Sequence, residues 1–137
     1  MPAAKVQVRY IVNDIDAAIA FYCQHLEFQE DMHPSPTFAM LSRGHLRLVL
    51  SAPSANAGGG QAMPDGTTQT PGGWNRFAIE VADVEAMVRD LRAAGVRFRN
   101  HVVTGVGGKQ IIVEDPSGNP VELFQPTLPE AKLGGRS

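Results

Sequence analysis

An acidic side chain lies inside a short apolar strand near the end of the sequence. Glu122 stands between Val121 and Leu123 in the stretch EDPSGNPVELFQ. Because successive strand residues point to opposite faces of a sheet, Glu122 should face away from the side on which Val121 and Leu123 are buried. A carboxylate at such a position either faces solvent or contacts a ligand held in a cleft.

Charged and aromatic side chains recur at the outward positions of the other predicted strands. If the apolar row of the first strand, made of Val6, Val8, Tyr10 and Val12, lies under a helix, the alternate residues face away from it. The outward residues are Gln7, Arg9 and Ile11, then Arg47, Val49 and Ser51, then Trp74, Arg76, Ala78 and Glu80, and finally Glu122 and Phe124. Arginine and glutamate beside two aromatic rings are typical of a partly apolar pocket with converging polar groups and stacking surfaces. An ordinary amphipathic sheet is the alternative interpretation.

Residues for covalent or metal chemistry are sparse. Cys23, the only cysteine, lies in an apolar helical stretch, so we expect a small buried side chain rather than a nucleophile. Neither a Ser/His/Asp nor a Cys/His triad is recognisable. The four histidines are His25, His33, His45 and His101. Of these, His33 and His101 follow equivalent strands, at rims from which they could contact a ligand.

The composition predicts one globular unit spanning residues 1–137. Hydrophobic residues make up 43% of the chain and charged residues 19%, while the net charge of -2 gives no electrostatic reason to expect nucleic acid or an anionic membrane as a partner. No apolar run approaches the ~20 residues of a transmembrane helix. The first residues, MPAAKVQVRY, lack the apolar core of a secretory signal, which predicts a cytoplasmic location.

A faint internal repeat supplies the elements that must position these residues. The stretches VQVRYIVNDIDAAIAFYCQHLEF and NRFAIEVADVEAMVRDLRAAGVRF each run from an alternating strand through an aspartate into a helix. We expect Asp14 and Asp83 to cap the two helices, and Gly95 to end the second in the left-handed conformation. The first helix should bury Ile15, Ala18, Ile19, Tyr22 and Leu26, and the second Val84, Met87, Val88 and Leu91.

Three short strands are predicted after each helix. They span 28–33, 37–42 and 45–51 in the first half, and 97–103, 109–114 and 120–124 in the second. The result is two βαβββ modules, at 5–52 and 74–126. Residues 53–73 concentrate Gly, Pro, Ser and Ala, which predicts a flexible linker, and 127–137 are predicted to be a loosely ordered tail.

The sequence resembles the vicinal oxygen chelate superfamily, which includes glyoxalase I, extradiol dioxygenases and bleomycin resistance proteins. The matching stretches are VNDIDAAIAFYCQHLEF in the first half and FAIEVADVEAMVRDLRAAGVRF with VEDPSGNPVELFQP in the second. They cover nearly all of residues 5–126. The resemblance implies an α+β fold in which two βαβββ modules form a curved mixed sheet around a cleft, often within a homodimer.

The resemblance also implies where a metal ion would bind, because metal-dependent members take their ligands from the first and last strands of each module. Carried over, these positions hold Gln7, Val49, Arg76 and Glu122. Glu122 matches the family's closing glutamate, and Gln7 a position that is glutamine in some glyoxalases. Valine cannot coordinate a metal, and a guanidinium repels a cation. We therefore expect no metal cofactor; a divalent ion held through His33 or His101 at a dimer cleft is the alternative.

The expected function is to bind a small organic molecule in the cleft, for sequestration and resistance, transport or sensing. Arg76 should then pair with Glu122 in place of the cation. The alternative is a metal-dependent lyase, isomerase or dioxygenase that acts on a small oxygenated substrate, or a metal-free acid/base step by Glu122. A purely structural dimer module is a third possibility. The expected partners are the small-molecule ligand and a second copy of the chain.

Overall fold

The computed structural model describes residues 6–129. They divide into two units, the first formed by residues up to 72 together with 116–119, and the second by 73–115 together with residues from 120 onward. Residue 5, predicted to begin the first module, lies outside the described residues, as do residues 130–137 of the predicted tail.

The first unit is a βαβββ module. Its elements are β1 (Val6–Ile11), α1 (Ile15–His25), β2 (Gln29–Ser35), β3 (Phe38–Arg43) and β4 (Leu46–Ser51). The strand order is β1-β4-β3-β2, in which β1 runs parallel to β4 and the other pairs are antiparallel. A parallel pair needs a long crossover connection, and here that connection includes α1, β2 and β3.

The second unit repeats this arrangement with one strand divided. Its elements are β5 (Ala78–Glu80), α2 (Val84–Ala93), β6 (Arg97–Phe98), β7 (Val103–Thr104), β8 (Gly108–Glu114) and β9 (Pro120–Pro126). The sheet order is β5-β9-β8-β6, with β7 also paired to β8, and β5 is parallel to β9. The predicted α+β class with two βαβββ modules is therefore confirmed.

Two predicted strands of the second unit need correction. The strand expected at 97–103 is split into β6 and β7, because the side-chain Oδ1 of Asn100 accepts a hydrogen bond from Ile112 N at 2.9 Å and so takes the place of a backbone carbonyl. The first strand begins at Ala78 rather than near Trp74. Pairing still extends one residue earlier, since Glu122 N donates to Phe77 O at 3.1 Å.

Both helices begin, and α2 ends, as the sequence predicts. The Oδ1 atoms of Asp14 and Asp83 accept hydrogen bonds from the backbone three residues later, each at 3.0 Å. At the end of α2, Gly95 has φ +84°, and its N–H donates to Arg92 O at 3.0 Å. These bonds satisfy backbone groups that a helix end leaves without partners. The matching N-terminal caps, Asp14 on α1 and Asp83 on α2, support the internal repeat.

The core of each unit lies between its helix and its sheet. In α1 the buried residues include Phe21, whereas the predicted Ile19 is only half-buried; in α2 the predicted Met87 is also half-buried. Tyr10 in β1 and Val12 just after it are buried, but Val6 is 61% exposed, contrary to the predicted apolar row. The reason is that β1 is an edge strand, while α1 packs chiefly on β2, β3 and β4.

Part of the segment predicted to be a flexible linker is packed against the first unit. Ser54 N donates to Gly60 O and Gly60 N to Ala57 O, both at 3.1 Å, and Ala57 is fully buried. Residues 61–68 are exposed. The flexibility of this linker stays a prediction, and the contacts of 54–60 lead us to expect it in 61–68. Within residues 6–129, neither helix has the length and apolar character needed to cross a bilayer.

Candidate functional site

Glu122 is paired with Arg76 on the face of the second sheet that is turned away from α2. Arg76 Nε donates to Glu122 Oε1 at 3.1 Å, and Arg76 Nη2 lies 3.0 Å from the same oxygen. The two side chains are only 26% and 17% exposed. Glu122 lies opposite Ala78 on β5 and Ile112 on β8, so neighbouring strands flank it on both sides. The predicted ion pair is therefore present, and Glu122 is not a simple solvent-facing residue.

The pair uses only one oxygen of the carboxylate. Both Arg76 nitrogens contact Oε1, and within residues 6–129 no hydrogen bond reaches Oε2 of Glu122. The remaining Arg76 nitrogen, Nη1, donates to the backbone oxygen of Trp74 at 3.1 Å. Arg76 therefore fixes both the carboxylate and the chain that leads into β5, while Oε2 remains able to accept a hydrogen bond from a ligand.

A second ion pair on this face was missed by sequence reasoning. Arg99 Nε donates to Glu114 Oε2 at 2.8 Å, and Arg97 Nε lies 3.6 Å from Glu114 Oε1. The guanidinium of Arg99 also lies over the Trp74 ring, 4.6 Å from its centroid. Alternation along β8 would have placed Glu114 on the outward face, but nothing in the sequence points to the stacking of Arg99 on Trp74.

The aromatic residues predicted for this face are both there. Trp74 is 68% exposed although Arg99 covers part of its ring, so the indole offers a stacking surface held in place from one side. Phe124 pairs in register between Glu80 and Gln110. Its ring lies so close to Gly108 that a Cβ added there would be 3.0 Å from it. Glu80 is half-buried beside Phe124.

The first sheet holds the other predicted residues on its outward face. Gln7 pairs in register with Arg47, and Arg9 with Val49. Gln7 and Arg9 are exposed and Arg47 is half-buried, whereas Val49 is fully buried. Val49 therefore presents no accessible surface to a ligand here, in contrast to its predicted place among the lining residues.

A β-bulge brings an unpredicted carboxylate to this face. Glu30 pairs with Leu41 and Met32 with Met40, so Asp31 is the extra residue between them. Bulges re-aim side chains in this way. Asp31 Oδ1 accepts a hydrogen bond from Ser42 Oγ at 3.1 Å, and its Oδ2 lies 3.6 Å from Arg47 Nη2. Strand alternation alone cannot reveal Asp31, because the bulge breaks that alternation.

The packed part of the linker covers one end of the same face. Ser51 Oγ donates to Gly58 O at 2.8 Å, and Gly58 lies against the ring of Phe38. Gly59, with φ +77°, lies so close to the guanidinium of Arg9 that a Cβ at this position would collide with it. Gly59 therefore lies against the guanidinium of Arg9, although Arg9 remains exposed as a residue, whereas Arg47 is half-buried.

The histidines and the cysteine do not assemble a reactive centre. Among residues 6–129, no group of three or more His, Cys, Asp or Glu side chains could hold a metal ion. His33 lies 3.8 Å from a carboxylate oxygen of Asp16 and 4.0 Å from one of Glu30. His101 is exposed. Burial, with a smaller contribution from Glu30, raises the pKa of the Cys23 thiol above its ordinary value. Cys23 is therefore protonated at neutral pH and poorly nucleophilic.

The four positions that the resemblance implies for a metal do not fit a divalent ion. They supply an amide from Gln7, a buried alkyl group from Val49, a guanidinium from Arg76 and one carboxylate from Glu122. A catalytic divalent site needs about three protein donors, and Arg76 already occupies the single carboxylate at 3.0 Å. The donor set thus disagrees with the metal chemistry of the metal-dependent members.

Comparison with known proteins identifies the family and the fold. The family model described as Glyoxalase/Bleomycin resistance protein/Dioxygenase superfamily matches residues 6–123. No curated protein is a significant match. A superfamily member from Sphaerobacter thermophilus superposes with a TM-score of 0.71 at 23% identity, covering 91% of this chain and 98% of that one.

Two further solved structures carry functional names. A lactoylglutathione lyase from Agrobacterium tumefaciens has a TM-score of 0.69 at 21% identity, covering 90% of this chain and 94% of its own. An antibiotic binding protein from Streptomyces has a TM-score of 0.69 at 23% identity, covering 93% and 99%. At these identities the likeness shows a shared fold, and the fold by itself does not assign a function.

Proposed function

Because the chain belongs to the glyoxalase, bleomycin resistance protein and dioxygenase superfamily, we propose that it binds a small organic molecule on the outward sheet faces, without a metal ion. The observation that carries this proposal is the ion pair between Arg76 and Glu122, at 3.0 Å. The guanidinium supplies a fixed positive charge to the closing glutamate of the family. A metal ion at the remaining oxygen of Glu122 would lie beside this positive charge and be repelled by it.

The residues on these faces suit binding better than covalent chemistry. On the face of the second unit, Arg76 and Glu122 offer hydrogen-bonding groups and Trp74 and Phe124 offer ring surfaces; on the face of the first unit, Arg47 offers a guanidinium. Small-molecule sites combine apolar surface with a few polar groups in this way. The Streptomyces relative named as an antibiotic binding protein supports a binding role of this kind. Sequestration of an aromatic compound is the use that we propose first.

Trp74 allows a direct test, because it is the only tryptophan in the chain. We expect at least one compound from a panel of small planar aromatics to change Trp74 fluorescence saturably and to raise the melting temperature. Free ligand at 100 times its Kd stabilises the folded state by about 2.7 kcal/mol. Replacing Trp74 by Leu should weaken the binding of that compound. If none of the panel raises the melting temperature, the binding proposal is wrong.

The second candidate is enzymatic: a lyase or isomerase that acts on a small oxygenated substrate through a metal-free acid/base step. It is favoured by Glu122, which retains a carboxylate oxygen without a hydrogen bond in the described part of the chain. The relative named lactoylglutathione lyase supports the same candidate. Oε2 of Glu122 could accept a proton from a bound substrate, a step that uses only residues of this chain.

The proposal also covers the location, the oligomeric state and the partners of the protein. We propose a cytoplasmic homodimer whose other partner is the small-molecule ligand. The absence of an excess of positive charge, with a net charge of -2, argues against nucleic acid as a partner.

A further inference from the structure

The outward faces of the two units differ in charge balance. On the second face, Arg76, Arg97 and Arg99 are matched by Glu80, Glu114 and Glu122. On the first face, Arg9 and Arg47 are accompanied by one carboxylate, that of Asp31. Two arginines against one aspartate leave a formal charge of +1 on the first face. An excess positive charge attracts an anion.

Arg47 makes two long contacts within the protein, so its guanidinium can still donate hydrogen bonds to a ligand. Its Nη1 donates to the sulfur of Met40 at 3.6 Å, and its Nη2 lies 3.6 Å from Asp31 Oδ2. A thioether is a weak acceptor. By contrast, Arg76 and Arg99 contact glutamate oxygens at 3.0 and 2.8 Å. With 40% of its side chain exposed, Arg47 can donate to a ligand without first breaking a short ion pair.

Asp31 pairs with Arg47 only at 3.6 Å, while two neutral donors hold its other oxygen. Its Oδ1 accepts hydrogen bonds from Ser42 Oγ at 3.1 Å and Gln29 Nε2 at 3.4 Å. The bulge between Glu30 and Met32 fixes the backbone at this point. The bulge therefore sets the 3.6 Å distance between Asp31 Oδ2 and Arg47 Nη2.

Arg9 is more exposed than Arg47, but it is less suitable for binding an anion because the chain at Gly59 packs on its guanidinium. Its guanidinium lies under Gly59, and the segment above is held by Gln69, whose Nε2 donates to the backbone oxygens of Gly59 and Gln61 at 2.9 Å. Arg47, in contrast, pairs in register with Gln7, whose exposed amide adds a second polar group beside the guanidinium.

We infer that Arg47 recognises an anionic group, a carboxylate, phosphate or phosphonate, of a molecule bound on the face of the first unit. This inference rests on the proposed binding function and adds to it the class of ligand. A guanidinium binds such oxyanions through two parallel N–H···O bonds, which orients the ligand as well as holding it. Asp31 then weakens the affinity, because its charge repels the same anion.

Benzoate and benzamide provide a matched pair of probes, since they share the ring and differ in charge. Their dissociation constants can be measured by NMR titration of the 15N-labelled protein, with the Arg47 Nε–Hε resonance as a local reporter. We expect benzoate to bind about tenfold more tightly than benzamide, as a charge-assisted bond predicts. R47Q should abolish this preference. D31N should strengthen benzoate binding about two- to fivefold by removing a repelling charge.

Arg89→Gln is the matched control, because Arg89 is exposed on α2 and its loss changes the net charge equally. It should leave the preference for benzoate unchanged. Equal binding of the two probes, a preference that survives R47Q, or no effect of D31N would overturn the inference and leave the binding function standing. If neither probe binds the wild-type protein, the inference fails, while the binding function is decided separately by the panel of aromatic compounds.

Discussion

At the scale of single residues, the distinctive feature is a carboxylate held by an arginine where metal-dependent relatives would use a cation. Arg76 contacts Glu122 through two nitrogens and the Trp74 carbonyl through the third. One residue thereby neutralises Glu122 and positions the exposed indole. Because both side chains are largely buried, removal of either partner leaves the other poorly solvated.

We predict that Arg76→Met and Glu122→Gln each lower the free energy of unfolding by about 1–3 kcal/mol. The double variant should be less destabilised than the sum of the two, by a coupling energy of about 1 kcal/mol or more. Urea denaturation of all four proteins gives these values. Arg89→Met, on the exposed surface of α2, is the control and should change stability by about 0.5 kcal/mol at most. Strictly additive effects would show that the ion pair contributes nothing.

At the scale of elements, strand alternation predicted most of the outward faces. Arg76 and Glu122 were predicted to meet because they lie on neighbouring strands, and their contact follows from the parallel pairing of β5 with β9. Alternation failed where the ladder is irregular. The bulge at Asp31 and the Asn100 side chain that divides β6 from β7 are tertiary features without a local signal.

The burial of Val49 is another feature that strand alternation does not reveal. Alternation correctly assigns its face, since it pairs with Arg9 on β1 and Met40 on β3. Facing outward does not make a residue accessible, however, and Val49 is fully buried. Long neighbouring side chains can cover a short one, and a sequence pattern does not show where such coverage occurs.

The linker should have two parts with different dynamics. We predict that hydrogen exchange is faster across residues 61–68 than at Ala57 and Gly60. The amides of Met63 and Gly66 donate to Thr67 O and Met63 O at 2.8 Å, but they lie in an exposed turn, whereas Ala57 and Gly60 are buried and their N–H groups bond to Ser54 O at 3.2 Å and Ala57 O at 3.1 Å. Exchange measured by mass spectrometry, with peptides that separate 53–60 from 61–73, resolves the two parts. Strong protection throughout 61–68 would contradict a flexible linker.

At the scale of the whole molecule, each sheet formed by residues 6–129 ends in strands that pair on one side only. In the first sheet these are β1 and β2, and β5 ends the second. Exposed edges favour pairing with another chain, and small proteins most often cover such surfaces in a symmetric dimer. We predict a homodimer of about twice the chain mass of 14.7 kDa. Sedimentation that shows only monomer at micromolar concentration would exclude it.

The most direct test of binding without a metal is the metal content of the purified protein. The wild type should be dialysed against zinc or nickel and then against metal-free buffer, beside a metal-dependent member of the superfamily as a loading control. Because Arg76 occupies Glu122 at 3.0 Å and Val49 is buried, we predict far less than one ion per chain by mass spectrometry. One ion per chain in the wild type, lost in Glu122→Ala, would contradict this prediction and favour the metal-dependent enzyme.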